Sequence, residues 1–189
     1  MRLMQGAAAV DSSDATLWER GDEAAFAELY DRYAEAVWNH AYRLTASWST
    51  AEDLTSSTFL TAWRRRREVR LVRDSALPWL FTVAANLART EFRRAARFRR
   101  LLHRVPPNDV VRDHAEEVAA FVDVERRLRM VLAAIATFPN AEREAVELVL
   151  LGELPVAEAA EVLGVAEVSV RTRISRARAR LRTLMEVES

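Results

Sequence analysis

Cysteine and lysine are both absent from this chain of 189 residues, and glycine and proline are scarce, at 4 and 5. Without cysteine there is no disulfide framework, thiol nucleophile or cysteine-ligated zinc finger, and the composition fits a reducing compartment. So few turn-formers argue against a strand-and-turn architecture and for helices. No run approaches the ~18 apolar residues of a membrane-spanning helix. The apolar stretch within residues 1–10 is also too short for a signal-peptide core leading into one. The expectation is a soluble, cytoplasmic protein with no membrane insertion.

Catalytic constellations are missing too. His40, His103 and His114 lack metal-ligand spacing, and the adjacent carboxylates of Glu52-Asp53 and Glu116-Glu117 diverge around a helix rather than converge on a substrate. There is no glycine-rich phosphate loop and no nucleophile motif. The reading is no enzyme, no metal and no cofactor.

What is present is charge in blocks. The chain carries 28 basic and 28 acidic residues, a formal net charge of zero. Acidic residues crowd into the N-terminal third and residues 142–161, arginines into 64–104 and 171–182. Two basic blocks separated by acidic ones suggest two nucleic-acid contacts on a chain with an acidic partner-binding face. That every basic residue is arginine has a plain account, the coding bias of a GC-rich genome. Selection for phosphate-matching forks is the alternative.

Hydrophobic periodicity runs in helical steps along most of the chain. Phe26, Leu29, Tyr30, Tyr33, Val37, Ala41 and Leu44 form one stripe. Thr50 with Asp53 resembles a capping box ahead of a helix over 51–66, which carries Leu54, Phe59, Ala62 and Trp63. Ser75 and Pro78 mark the start of another, with Leu80, Phe81, Ala84, Leu87 and Ala88 inward and an arginine-rich tail. Residues 105–122, opened by Val105-Pro106-Pro107, read as a linker. Helical periodicity resumes near 124, and Phe138-Pro139-Asn140 ends one helix and starts the next.

The most informative stretch is 154–181. Pro155 opens a short helix, Gly164 stands where a left-handed C-terminal cap is wanted, and Val165 follows as the residue that packs back. A second helix from about Glu167 completes a helix-turn-helix pattern. At 100° per residue, Val170, Ile174, Ala177 and Leu181 cluster inward. Val168, Thr172, Ser175, Arg176 and Ala179 point away, with Ser169 and Arg171 at the flanks. Small and polar side chains edged by arginine suit a major groove. Arg173, Arg178, Arg180 and Arg182 suit phosphates. A solvated basic helix on some other bundle has the same pattern, so this motif alone does not decide the kind of protein.

Four blocks occur in order: Asp22-Glu-Ala-Ala-Phe-Ala-Glu-Leu-Tyr-Asp-Arg-Tyr33, Ala51-Glu-Asp-Leu-Thr-Ser-Ser-Thr-Phe-Leu-Thr-Ala-Trp63, Trp79-Leu-Phe-Thr-Val-Ala-Ala-Asn-Leu-Ala-Arg89, and the segment 164–181. Together they resemble the extracytoplasmic-function (ECF) sigma factors of bacterial RNA polymerase, in the minimal form with sigma domains 2 and 4 only. The resemblance implies an all-α fold of two small helical domains joined by a flexible linker. It divides the chain into an N-terminal arm, 1–20, partly disordered; domain 2, 21–104; linker, 105–122; and domain 4, 123–189. The expected partners are core polymerase (its β′ coiled coil and β flap), promoter DNA and an anti-sigma factor.

Carried onto this sequence, the resemblance makes Glu52, Asp53 and the edges of Leu54 and Phe59 the polymerase-docking face, with the carboxylates the stronger candidates; the alternative is that Leu54, Phe59 and Trp63 are simply core. Ser56-Ser57 departs from the common pattern there by lacking an acid, an exposed charge worth under ~1 kcal/mol. Asn86 would capture an unpaired −10 base, with Arg89, Arg93, Arg94 and Arg97 tracking the strand. The loop over 66–75 would form the rim of the base pocket. The −35 duplex would be read by Val168, Ser169, Arg171, Thr172, Arg173, Ser175 and Arg176. Helical spacing assigns Trp79 and Phe81 to the core instead. The rival reading is a stand-alone helix-turn-helix repressor or activator, in which the 51–63 block has no role.

Overall fold

The computed structural model describes residues 13–71, 73–102 and 117–187, and every regular element among them is helical. The first group comprises α1 (Asp14–Arg20), α2 (Glu23–Thr45), α3 (Trp48–Arg65) and α4 (Leu77–Leu102). The second comprises α5 (Glu117–Ala136), α6 (Asn140–Val146), a π-helical turn (Glu147–Leu151), α7 (Val156–Val162) and α8 (Glu167–Val187). No helix among the described residues is long and apolar enough to cross a membrane.

Local chemistry sets the boundaries. Ser13 caps α1 by accepting from the Thr16 amide, and Gly21, at φ 55°, closes it in the left-handed region where glycine carries no Cβ penalty. Asp22 then caps α2 through the Ala25 amide at 2.8 Å. The cap of α3 is Ser47, which accepts from the Thr50 amide, so the helix begins three residues before the expected box at Thr50. On the C-terminal side α5 already begins at Glu117, inside the span expected as linker. The rest of that span, with His114, lies outside the described residues, as do the neighbouring His103 and residues 1–12 of the expected arm. Residues 14–20 of that arm are a capped helix whose Leu17 and Trp18 are buried.

The stripe on α2 buries Leu29 and Val37 against Phe59 of α3 and Leu80 and Phe81 of α4. Trp79 stacks edge-on against Trp18 at 5.5 Å, and both it and Phe81 have the core role their spacing implies. In the second group Ile135, Phe138, Val146 and Leu154 pack on Val170, Ile174 and Ala177 of α8. The two cores are continuous. At their junction the His40 ring stacks on Phe81 at 4.2 Å, and Phe81 abuts Gly152. A Cβ on Gly152 would lie 2.9 Å from Phe81 and 2.6 Å from the Leu148 carbonyl oxygen, closer than real side chains come.

Candidate nucleic-acid interface

The helix-turn-helix is α7, a turn and α8. Gly164 takes φ 65° with open space where a Cβ would be, so backbone conformation rather than crowding requires glycine there. The Val165 amide donates to the Ala160 carbonyl at 2.9 Å, folding the turn back. Ala159 and Ala160 are buried against α8, whose Val170, Ile174 and Ala177 point inward. Val168, Arg171, Thr172, Ser175 and Arg176 are exposed on the opposite face, with Ser169 and Arg173 half-buried at its edges. The structure thus brings the seven −35 candidates onto one helix. Arg171 is steadied by Glu167 at 2.6 Å. Arg180 differs from the phosphate-contact expectation: it pairs at 3.0 Å with the buried carboxylate of Glu142 on α6.

On α4, Asn86, Arg93, Arg94 and Arg97 are exposed along the helix. Arg89 belongs to the same row but is largely covered, its side chain 12% exposed. It donates to Asn86 Oδ1 and pairs with Glu144 at 3.1 Å and Glu147 at 3.5 Å, both from the second helical group. In this arrangement Arg89 is not open to a strand.

Sequence reasoning did not find what fixes the loop ahead of α4. The Asp14 carboxylate is buried and accepts from Arg32 Nη1 at 2.7 Å, the Tyr33 hydroxyl at 2.6 Å and the Ala76 amide at 2.7 Å. The Ala15 amide in turn donates to Asp74 Oδ1 at 2.6 Å. Trp18 Nε1 donates to the Val69 carbonyl at 3.0 Å, and Arg66 Nε to that of Gly21 at 2.8 Å. Arg73 and Asp74 sit in the left-handed region at φ 52° and 56°, a conformation that persists only when neighbours hold it. Helix α1 is that neighbour. The signal was present in Asp14, Leu17, Trp18 and Gly21, an i, i+3, i+4, i+7 stripe ending in glycine.

The outer face of α3 carries Glu52, Asp53, Ser56, Ser57 and Leu60, all exposed. Leu54 and Phe59 are buried, at 6% and 5% exposure, so they take the core place that was the alternative to an edge on the docking surface. They share a stripe with Ala51, Thr55, Thr58 and Ala62 that turns inward, where Phe59 meets Tyr30 at 4.7 Å and Phe26 at 6.2 Å. The apolar groups exposed on this side are Leu60 and Trp48, and Trp48 Nε1 donates to Glu52 Oε1 at 3.1 Å.

Comparison with known proteins closes the account of these surfaces. Residues 29–98 match the family model for sigma-70 region 2, and residues 128–181 that for sigma-70 region 4. The chain is 34% identical over 179 residues to the ECF RNA polymerase sigma factor BldN of Streptomyces coelicolor, covering 87% of this chain but only 64% of that protein. To the ECF RNA polymerase sigma factor SigL of Mycobacterium tuberculosis it is 33% identical over 162 residues, covering 84% of this chain and 88% of the relative. Two solved structures share the fold. CnrH in complex with the cytosolic domain of CnrY matches at a TM-score of 0.63 with 23% identity, over 94% of this chain and all of that one. RpoE from Bartonella quintana, bound to the anti-sigma factor NepR, matches at 0.56 with 24% identity, over 87% and 98%.

Proposed function

The chain belongs to the sigma-70 family of bacterial RNA polymerase sigma factors, in its ECF group, and from that premise we propose how its surfaces divide the work of promoter-specific initiation. The observation that carries the reading is the co-occurrence, on one chain, of three exposed faces with distinct chemistry. The α8 face is shaped for a duplex groove, the α4 row is lined with arginine, and the outer edge of α3 is acidic.

Sigma domain 4 takes the −35 duplex. Thr172, Ser175 and Arg176 reach base edges, and Arg171, Arg173 and Arg178 sit against phosphates. Sigma domain 2 takes the −10 element, with Asn86 offering its amide to an unpaired base and Arg93, Arg94 and Arg97 following the strand. The α1-braced loop over 66–75 forms the rim of the base pocket. Extruding a base costs a few kcal/mol, which base capture and polymerase contacts must offset. Free protein therefore binds promoters weakly, and the polymerase is part of the reading device. Glu52 and Asp53 dock on the β′ coiled coil with Leu60 as the apolar contact, and domain 4 meets the β flap. The protein is non-catalytic, works in the cytoplasm alongside the polymerase, and is held in check by an anti-sigma factor that covers the same surfaces.

Run-off transcription with purified core polymerase, from promoters upstream of the gene, tests this. Core-dependent initiation is expected, with loss of both activity and core pull-down in the double variant Glu52→Arg, Asp53→Arg. Both positions are exposed, so the variant keeps its fold. Tight duplex binding by the protein alone, with no association to core, would leave a stand-alone helix-turn-helix regulator. Within the holoenzyme, Arg176→Ala is expected to cost about 1–3 kcal/mol on the preferred −35 sequence and to relax discrimination at one base pair. Arg178→Ala weakens all sequences alike. Competition binding across single-base −35 variants separates the two outcomes.

A further inference from the structure

Helix α3 changes sign along its length. Its first half exposes Glu52 and Asp53, and its end runs into consecutive arginines over 64–67, followed by Arg70 in the loop. Cations in a last turn favour the helix dipole, so such a run has a purely structural account. That account, with bracing, covers two of them. Arg65 pairs with Glu68 at 3.3 Å. Arg66 lies over the Trp63 ring at 3.6 Å and donates to the Gly21 carbonyl at 2.8 Å, tying the loop to the end of α1. Arg64, Arg67 and Arg70 are exposed and have no carboxylate partner among the described residues. Like charges left uncompensated repel, and a bound polyanion relieves the repulsion.

Their place in the fold selects the polyanion. The backbone between Arg67 and Arg70 is held by the Trp18 Nε1 bond to the Val69 carbonyl at 3.0 Å. The loop that carries them leads into the start of α4, whereas Arg93, Arg94 and Arg97 stand towards its other end. At about 1.5 Å per residue, Arg97 is roughly 30 Å along the helix from Leu77, with Asn86 between them. The α4 row therefore serves phosphates on one side of a captured base and leaves the other side without cations of its own. We infer that Arg64, Arg67 and Arg70 form a second phosphate track, which holds the unpaired strand beyond the captured base, on the side away from the α4 row. This rests on the assignment of α4 and the loop over 66–75 to the −10 strand, and it carries the strand's path onto the end of α3. That helix then divides its partners by sign, polymerase at the acidic half and DNA at the basic end. Guanidinium forks match paired phosphate oxygens, and contacts of this kind position a strand without reading its sequence.

The test uses holoenzyme assembled from the full chain and core polymerase. Fluorescence anisotropy follows labelled non-template strands of the −10 region mapped by run-off transcription. One strand ends close to the −10 sequence on both sides; two others are extended, one on the 5′ side and one on the 3′ side. The variant Arg64→Gln, Arg67→Gln, Arg70→Gln is compared with Arg126→Gln, Arg127→Gln, Arg129→Gln, which makes the same charge change at exposed positions on α5.

For the first variant, affinity for one of the two extended strands is expected to fall on the order of a hundredfold at about 0.1 M salt. Its slope of log K against log salt becomes shallower by roughly 2, at about 0.7 per single-strand contact. The other extended strand and the short one bind as they do to the parent, and core pull-down is unchanged. The α5 variant matches the parent on all three. A loss shared by both extended strands would reveal a diffuse effect of charge and overturn the track, as would parent-like binding of every strand. Loss of core pull-down would assign the three arginines to polymerase instead. Failure of the underlying reading has a different signature: Asn86→Ala with Arg93→Gln and Arg97→Gln would then leave binding of the short strand unchanged.

Discussion

Replacing Asp14 with alanine is expected to lower the free energy of unfolding by about 3 kcal/mol, at the low end for breaking a buried ion pair because Arg32 keeps some solvent and its bond to Glu28. The carboxylate is 2% exposed and accepts three bonds. Its removal leaves the Tyr33 hydroxyl and the Ala76 amide without that acceptor, each a desolvation cost of about 1–3 kcal/mol unless water reaches it. Asp14→Asn keeps an acceptor oxygen and loses less. The urea midpoint at constant slope measures both. A second readout is Tyr33, whose phenol is pushed up to about 12 by burial first and by Asp14 second. In the alanine variant it titrates nearer its ordinary value of 10, visible in the ultraviolet. Because Asp14 also holds the residue just ahead of α4, promoter-specific initiation falls further than the folded fraction does. A variant within about 0.5 kcal/mol of the parent would show that α1 merely rests on the bundle.

Acid is expected to act on the junction between the helical groups through two residues of opposite sign. His40 is 1% exposed, and burial lowers its pKa from 6.5 to about 4, with backbone carbonyls of Leu151 and Phe81 pulling it back and Arg43 adding to the depression. The fold prefers the neutral ring, so this contribution is intact above pH 6.5 and is lost as pH falls towards 4. Burial raises Glu147 from 4.5 to about 7, against the pull of Arg89 from α4 and Arg143 on its own helix, with Glu144 adding repulsion. Here the folded chain takes up a proton that the unfolded chain does not, so stability rises as pH falls from about 7 to 4.5.

Near pH 5 each is worth roughly 2 kcal/mol, and the two nearly cancel. The parent protein is therefore expected to change little between neutral pH and about pH 5 on their account. His40→Phe, which preserves a ring against Phe81, becomes relatively more stable in acid, and Glu147→Gln relatively less. Urea midpoints at pH 7.5 and 5 decide it: parallel behaviour of the two variants would refute the opposed pair.

Much of the architecture was legible in the residues because helical period and caps are local. The α2 stripe, the inward set on α8 and the Gly164 turn required only spacing and backbone preference. What a stripe packs against is not local. On α3, Leu54 and Phe59 were open to two readings, an edge offered to a partner or core, and because they sit in phase with Ala51, Thr58 and Ala62 the inward stripe claims them. Leu60, the apolar residue out of phase, is the one left outside. Arg89 was equally readable as a cation in a row. That Glu144 and Glu147 neutralise it, 55 and 58 positions further along, depends on how two helical groups meet. The latch of α1 on the loop over 66–76 is of the same kind, since Asp14 and Ala76 are joined by tertiary geometry alone.

The carboxylates that face Arg89 belong to the same molecule, so the meeting of the two halves is a first-order event. Dilution cannot open it and abundance cannot close it, unlike capture by a separate inhibitor, whose grip depends on how many copies of each protein a cell holds. Salt, acid, or a ligand with unequal affinity for different arrangements changes how the halves meet.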